Sequence, residues 1–316
     1  MPDNRVVHRK RRQPGVRKRG RSLSRTGESD EVTLIRSARD AEAVFDDVER
    51  LFQRVFGYRL DRRAWARFYF VNPYGDAIVA LGWSGDLLVG HQALVPHAIT
   101  DGYGREYRYY LAMSLMLHPD HRGFPAFHRL VATTTAVARQ EGALFILGFP
   151  NGNSYALFQR AFGWKTLLET ELYNWHPATP VDPPRSVTPL PHLRLTDEAG
   201  PPCDDTYRQW RSLELPYYAE RVNGRLAVIY KIDRNGTLTL LDALTDAPQR
   251  TADDLAALLT YTGARQVRMT GVHARMIGLD PSRMERHTDY RLRMCYAPIT
   301  ADPPPLRFSL LLSDVF

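Results

Sequence analysis

The sequence contains few cysteines and no long apolar run. Its 316 residues include two cysteines, Cys203 and Cys295, whose spacing matches neither a metal site nor a redox motif. We expect buried, reduced thiols, and a disulfide between the two is left open. No segment approaches the roughly 18 consecutive apolar residues of a membrane span, and the basic start is not followed by the apolar core of a secretory signal. These absences predict a cytoplasmic protein without a membrane span.

Most of the chain also lacks a charge bias. Residues 1–30 hold ten basic and three acidic residues, which accounts for the whole formal charge of +7. Residues 31–316 hold 32 of each sign, so they have no general attraction for nucleic acid or anionic membranes. Because residues 1–30 lack periodic apolar positions, we predict a disordered basic tail. It is either a solvated extension or a segment that makes weak, non-specific contact with nucleic acid or acidic lipid.

The most informative stretch lies at 109–164. An apolar strand, 111–117, leads into a polar turn, and the segment 127–142 then repeats apolar residues at helical spacing. A second apolar strand, 143–147, is followed by a turn and a short helix. A helix that starts after a strand presents unpartnered backbone amides, and Arg122 adds a positive charge beside them. On this spacing alone, a phosphate site and an ordinary strand-to-helix connection fit equally well.

This stretch resembles the coenzyme A site of the GNAT acyltransferase superfamily. Residues 117–123, Leu-His-Pro-Asp-His-Arg-Gly, are similar to the family's apolar-x-Pro-x-x-Arg-Gly, and Asn151, 156–158 and 162–164 are similar to its last motif. Gly-Phe-Pro-Asn at 148–151, followed by Ser-Tyr at 154–155, resembles a subgroup of longer members. The resemblance is good over about 32–175 and vague beyond. It implies a mixed α/β sheet and acetyl-CoA as the cosubstrate, with no metal.

The resemblance also implies roles for particular residues. Backbone amides of the turn would hold the pyrophosphate of coenzyme A, and the last helix would flank its pantetheine arm. Amides near the end of the first strand would polarise the thioester carbonyl. The residues given these cofactor-binding roles are Leu115, Leu117, Arg122, Gly123, Phe124, Ala126, Phe127, Asn151, Ser154 and Phe158.

Two departures from the family pattern remove donors. Pro125 stands where the family loop has glycine, and it lacks an amide N–H. Phe158 stands where the family often has a tyrosine that protonates the leaving thiolate. We predict that Tyr155, three residues earlier on the same helix face, replaces it.

Acyl transfer to an amine also needs a base, because the ammonium form has to lose a proton. Ser114 is the only polar side chain within 111–117. The candidate bases near this strand are His91, Glu106 and His118, each of which also fits an ordinary surface or hydrogen-bonded structural role. A chain of waters is the remaining alternative.

The chain divides by composition into two α/β segments. We predict a GNAT domain over 31–176, a proline-rich linker over 177–191 and a second, degenerate GNAT-like domain over 192–316. Expected strands of the second domain include 225–232, 237–244, 266–272, 290–297 and 307–312, with a helix at 252–262.

The predicted function is transfer of an acetyl or other acyl group from acyl-CoA to an amine of a small molecule. Two alternatives are left open: a non-catalytic acyl-CoA-binding scaffold, and a nucleic-acid-associated protein that acts through its basic tail. The acceptor amine is not specified by the sequence, and a homo-oligomer is left open.

Overall fold

The computed structural model describes residues 31–193, 195–202, 204–211 and 216–312. Within this part of the chain, the strands are β1 (Glu31–Ile35), β2 (Ile78–Ser84), β3 (Leu87–Thr100), β4 (Glu106–Leu117), β5 (Phe145–Gly148), β6 (Lys165–Trp175), β7 (Val187–Pro189), β8 (Tyr218–Val222), β9 (Leu226–Ile232), β10 (Thr237–Thr245), β11 (Gln266–Thr270) and β12 (Glu285–Pro298). The helices are α1 (Ala38–Phe56), α2 (Arg62–Phe70), α3 (Phe124–Gln140), α4 (Gly152–Phe162), α5 (Asp205–Arg211), α6 (Thr251–Thr262) and α7 (Gly271–Met276).

All of these strands belong to one mixed sheet. Its spatial order is β1-β2-β3-β4-β5-β12-β6-β11-β10-β9-β8-β7. β4 runs parallel to β5, and β10 runs parallel to β11, whereas the other neighbours are antiparallel. The predicted mixed α/β class is therefore confirmed.

Helices cover both faces of the first part of the sheet. Val79 packs with α1 and α2 in one apolar cluster. Its neighbour Ile78 packs with α3 and α4 in a second cluster, because successive side chains of a strand point to opposite faces. With both faces buried, β2 and β3 read as almost continuous apolar runs. A third cluster joins α6 and α7 to β8–β11.

Local signals in the sequence set the ends of α1. The sequence predicts Asp40 as its N-cap, but the cap is Ser37, whose Oγ accepts a hydrogen bond from the Asp40 amide at 3.2 Å. The helix therefore begins three residues earlier than expected. It ends, as predicted, at Gly57, whose φ of 82° lies in the left-handed region that favours glycine.

β12 carries residues from near the C-terminus into the middle of the sheet. Cys295–Pro298 pair with Gly148–Phe145 of β5, and the other edge of β12 pairs with β6. β6 pairs on its second edge with β11. The segments predicted as two domains, 31–176 and 192–316, thus share one sheet, and a boundary at 176 would cross the ladders on both sides of β6.

Several local predictions need correction. Part of the predicted linker forms edge strand β7, where Pro189 is tolerated because an edge strand need not donate every amide. The predicted strand at 307–312 is absent, and Leu310–Leu312 form a 3-10 helix. α5, β8 and α7 have no counterpart in the sequence prediction. Residues 1–30 and Cys203 lie outside the described residues.

Two other sequence expectations concern the cysteines and a membrane span. Cys295 is buried and unbridged, and burial raises the pKa of its thiol. Among the described residues, no helix is both long and apolar enough to cross a membrane.

Candidate active site

β4 extends well beyond the end of β5. They pair over Tyr110–Ala112 and Ile146–Gly148 only, whereas β4 continues to Leu117. On its other edge β4 has a bulge, since its register against β3 shifts between the pairs His91–Met116 and Ala93–Met113. Ser114 lies in this bulge with a φ of +48°. The bulge therefore lies in the part of β4 that extends beyond the end of β5, and a cleft is found beside it.

The cleft has a volume of about 480 Å³. It is lined by Phe56, Gln92, Ala112, Met113, Ser114, Leu115, Gly148, Phe149, Pro150, Asn151, Ser154, Phe158 and Trp164. Phe158 and Trp164 belong to the α3–α4 side of the sheet, whereas Phe56 ends α1 on the opposite side. Among the described residues that line the cleft, none carries a side chain that titrates near neutral pH. Its polarity comes from hydroxyl, amide and backbone groups.

Gly148 allows one wall of the cleft to close tightly. A Cβ at this position would lie 2.8 Å from Cζ3 of Trp164 and 3.4 Å from Cβ of Ala112. Trp164 in turn packs on Phe158, with ring centroids 4.4 Å apart. The glycine at the end of β5 therefore lets an indole ring lie against the strand backbone.

Two buried side chains hold the bulge in place. His91 Nδ1 lies 2.8 Å from the Ser114 carbonyl oxygen, and burial lowers the pKa of His91 to about 4. The imidazole is therefore neutral and donates its Nδ1–H to this carbonyl. The Ser114 hydroxyl forms a 2.8 Å hydrogen bond with the hydroxyl of Tyr69 on α2. These contacts offset the unfavourable backbone conformation of Ser114.

The turn after β4 leads directly into α3. Pro119–His121 form a 3-10 turn, and Gly123 is the N-cap of α3 without a side-chain cap hydrogen bond. Pro125 occupies the second helical position, where its missing N–H costs little. Arg122 is exposed, and within the described part of the chain it has no ion pair or side-chain hydrogen bond.

The start of α4 forms the opposite wall of the cleft. Asn151 caps this helix, because its Oδ1 accepts hydrogen bonds from the amides of Asn153 and Ser154 at 3.0 and 3.1 Å. The Ser154 hydroxyl also donates to Asn151 Oδ1. Asn151 and Ser154 therefore line the cleft while their polar side-chain atoms stabilise the helix terminus.

Comparison with known proteins identifies the fold. No protein-family model and no curated protein sequence matches the chain. A GCN5-related N-acetyltransferase (GNAT) from Kribbella flavida superposes with a TM-score of 0.58 and 15% identity, covering 86% of this chain and 72% of that one. The chain has the GNAT fold.

Other solved structures share the GNAT fold with this chain. A probable N-acyltransferase from Enterococcus faecalis has a TM-score of 0.59 at 13% identity, over 86% of this chain and 72% of that chain. Saccharomyces cerevisiae N-myristoyltransferase, solved with bound myristoyl-CoA, has a TM-score of 0.51 at 12% identity, over 84% and 79%. The resemblance seen in the sequence is confirmed at the level of the fold.

The GNAT fold brings together five of the predicted site residues. Ser114, Leu115, Asn151, Ser154 and Phe158 line the cleft. A further group lies at the end of β4 and the start of α3, outside the cleft lining: Leu117, Arg122, Gly123, Phe124, Ala126 and Phe127. The side chain of Phe127 is buried against Phe158 and Phe162, so only its backbone is available at the start of α3.

Tyr155 does not line the cleft. Its hydroxyl lies 2.9 Å from the Thr166 hydroxyl and accepts a 2.9 Å hydrogen bond from Gln159 Nε2. The guanidinium of Arg293 lies over its ring. The predicted role of Tyr155 as proton donor therefore has no support from its contacts, which face β6 and β12.

The other candidate bases also lie outside the cleft lining. His91 is behind the bulge and completely buried. Glu106 pairs with Arg108 at the opposite end of β4, and His118 Nδ1 accepts the Asp120 amide at 3.3 Å. No group of three or more His, Cys, Asp or Glu side chains within the described residues could hold a metal ion.

Sequence reasoning missed Tyr69 and Gln92. Residues 64–70 form a short aromatic segment, and nothing local shows that Tyr69 reaches Ser114, 45 positions away. Gln92 lies within an apolar strand pattern, where a single polar residue gives no indication of its surroundings.

Proposed function

We propose that the chain is an acyl-CoA-dependent N-acyltransferase that transfers an acetyl or other acyl group to an amine of a small molecule. The observation that carries this proposal is the cleft at the Ser114 bulge, which opens beside the start of α3. Because β4 and β5 are parallel, their carboxyl ends, the cleft and the α3 N-terminus lie at one edge of the sheet.

The described residues fit the amide-containing pantetheine arm and the diphosphate of coenzyme A. Residues 113–117 of β4 have no partner strand on the side of β5, so an extended arm that contains amides can pair with this edge as an added strand would. The first amides of α3 and the guanidinium of Arg122 suit a diphosphate, which favours a helix N-terminus and a positive charge. Pro125 leaves this anion site with one amide fewer.

Acyl-CoA supplies an activated thioester, so that the amine nitrogen forms a C–N bond as the C–S bond breaks, the nitrogen loses a proton and the sulfur gains one. The protein positions the reactants in a cleft of mostly apolar side chains. Lining residues come from both faces of the sheet, so we propose that coenzyme A lies on the α3–α4 side and that the amine enters from the α1–α2 side.

The hydrogen-bonded hydroxyls of Ser114 and Tyr69 are the proposed proton donors to the leaving sulfur. Ser114 lines the cleft, and Tyr69 can return a proton to Ser114 along their 2.8 Å hydrogen bond. His91 stays neutral and acts by holding the Ser114 carbonyl. For the proton that leaves the amine, we propose a chain of waters, since the cleft lining offers no side-chain base.

A second candidate function follows from that same lining. A cleft without a titratable side chain is also suited to a protein that binds acyl-CoA and does not turn it over. Both functions predict coenzyme A binding, and only the first predicts release of free thiol.

The proposed function also implies a location and partners for the protein. We propose a cytoplasmic protein whose partners are acyl-CoA and a small amine. Contact of residues 1–30 with nucleic acid is, in this proposal, weak and not required for acyl transfer.

Calorimetry with coenzyme A tests the binding step. Wild-type protein should bind, and Arg122→Ala should bind about tenfold more weakly or worse, as expected for a lost charge-assisted hydrogen bond. The matched control is Arg234→Ala, since Arg234 is an exposed arginine in the β9–β10 turn. Wild-type protein that does not bind coenzyme A would contradict both candidate functions.

A screen of amines with acetyl-CoA tests the chemistry. Acyl transfer releases coenzyme A, so free thiol should appear only when protein and an accepted amine are both present. Binding without thiol release for any amine would favour the non-catalytic candidate.

A further inference from the structure

Gln92 is a residue of the cleft wall that has a buried polar atom without a partner. The side chain lines the cleft and is 1% exposed. Its Nε2 donates a 3.0 Å hydrogen bond to the Ala93 carbonyl oxygen. Its Oε1 is buried and has no hydrogen-bond partner within the described part of the chain. Among the described residues, no other side chain that lines the cleft has such an atom.

The contact with Ala93 fixes which end of the amide is free. A flipped amide would place Oε1 against the Ala93 carbonyl, and two acceptors would then face each other. The unpaired atom of Gln92 is therefore a hydrogen-bond acceptor, buried at the wall of the cleft. The polarity matters, because an acceptor favours ligands that carry an N–H or O–H and disfavours those that present a carbonyl at the same point.

The position of Gln92 relates this acceptor to the bulge. The register of β3 against β4 shifts between His91 and Ala93, the two neighbours of Gln92. Gln92 therefore lies opposite the extra residue in β4, beside Ser114 and Leu115. Ser114 and Leu115 belong to the part of β4 that extends beyond the end of β5 and lines the cleft.

We propose that Gln92 determines specificity by accepting a hydrogen bond from an N–H of the bound ligand. The inference rests on the proposed function and adds a residue and a bond polarity to it. A buried acceptor that gains a partner stops incurring the cost of desolvation, so the ligand binds more tightly than one without the N–H. Two sources carry this chemistry: an amide of the pantetheine arm and the acceptor amine.

The first experiment replaces the acceptor. Gln92→Met keeps the length of the side chain and removes the oxygen, and the matched control Gln266→Met changes a glutamine on β11 that donates to Thr237. If a pantetheine amide is the partner, the Kd for coenzyme A should rise about tenfold in Gln92→Met and stay at the wild-type value in the control. If the amine is the partner, the KM for the amine should rise instead, with the Kd for coenzyme A unchanged.

The second experiment changes the ligand and keeps wild-type protein, so it does not depend on how the variant folds. Coenzyme A analogues in which one or the other pantetheine amide is replaced by an ester lose one N–H each. If a pantetheine amide is the partner, one analogue should bind about tenfold more weakly to wild-type protein. That loss should vanish in Gln92→Met if the same hydrogen bond is removed in both cases.

The outcomes separate this inference from the function on which it rests. No coenzyme A binding by wild-type protein overturns both. Wild-type protein that binds coenzyme A supports the proposed function. The role of Gln92 alone is then overturned if the amide and ester ligands bind equally and the KM for the amine is the same in wild type and Gln92→Met.

Discussion

Ser114 is the residue on which the geometry of the cleft depends. A φ of +48° is uncommon for a serine, and such a conformation persists only when its surroundings hold it. Here His91 binds the Ser114 carbonyl and Tyr69 binds its hydroxyl. The same two contacts place a hydroxyl at the cleft and hold the β4 bulge in its conformation.

A pair of tyrosine variants separates the two candidate proton donors. Tyr69→Phe removes the partner of Ser114, so kcat should fall about 100-fold, the usual contribution of a general acid or base. Tyr155→Phe removes a hydroxyl that contacts Thr166 and Gln159 outside the cleft, so kcat should change little. Steady-state kinetics with thiol detection measures both, and the Kd for coenzyme A should hold in each. A large loss in Tyr155→Phe alone would instead support the role predicted from the sequence.

His91 should make the folded state sensitive to acid. Its pKa is lowered from 6.5 to about 4 in the folded protein, so between these values the unfolded chain binds a proton that the folded protein does not. The free energy of unfolding should therefore fall as the pH decreases from about 6.5 to 4. Protonation of this one site should account for about 2 kcal/mol between pH 7 and pH 5.

Urea unfolding at pH 7 and pH 5 measures this sensitivity. His91→Asn keeps a donor near the Ser114 carbonyl and cannot titrate, so its loss of stability on acidification should be smaller by that amount. The control is His192→Asn, since His192 is exposed. An equal acid sensitivity in wild type and His91→Asn would contradict the prediction.

At the scale of elements, the cleft needs β5 to end where it does. Gly148 is the last residue that pairs with both β4 and β12, and Trp164 occupies the space where a side chain would be. α4 then starts at an asparagine cap and returns Phe158 to the cleft. The strand end, the cap and the aromatic pair act as one unit.

Gly148→Ala should disturb this unit. The new Cβ would lie 2.8 Å from the Trp164 ring, so the indole has to move, and we expect a loss of about 1–3 kcal/mol in the free energy of unfolding. Weaker coenzyme A binding should accompany it. Gly152→Ala is the control, since nothing lies within 4 Å of its added Cβ. Thermal unfolding and calorimetry report the two effects, and equal behaviour of both variants would show that Trp164 adapts without cost.

Local elements could be predicted because their signals lie close together in the chain. The apolar run of β4, the helical spacing of α3 and the glycine at the end of α1 each act within a few residues. The bulge at Ser114, the contact with Tyr69 and the position of β12 depend on residues distant in sequence. The strand predicted at 290–297 was correct as a strand, but its neighbours β5 and β6 could not be deduced, because pairing depends on the packing of the whole sheet.

At the scale of the molecule, the two halves are joined by shared strand pairing. β12 pairs with β5 on one edge and with β6 on the other, so neither half can complete its part of the sheet alone. The basic residues 1–30 precede β1, and the charge of the rest is balanced.

Truncated proteins test this joint architecture. A fragment of residues 31–176 would leave β5 and β6 without β12, so it should lack a cooperative thermal transition by circular dichroism. The control fragment, residues 31–316, keeps every pairing and should unfold at the wild-type temperature with unchanged coenzyme A affinity. Cooperative unfolding of 31–176 would show that the first half folds as an independent domain. Weakened coenzyme A binding by 31–316 would show that the basic tail contributes to the site.

The position of β12 also sets an order of events during synthesis. β5 ends at Gly148, and the strand that covers its free edge begins only at Glu285. At 5–20 residues per second, a ribosome needs on the order of 10 s to make the residues between them. During that time the nascent chain presents the exposed edge of a buried apolar strand, which readily pairs with other chains. Such a protein should depend on chaperones while it is translated, and its cleft should form only after β12 has been made.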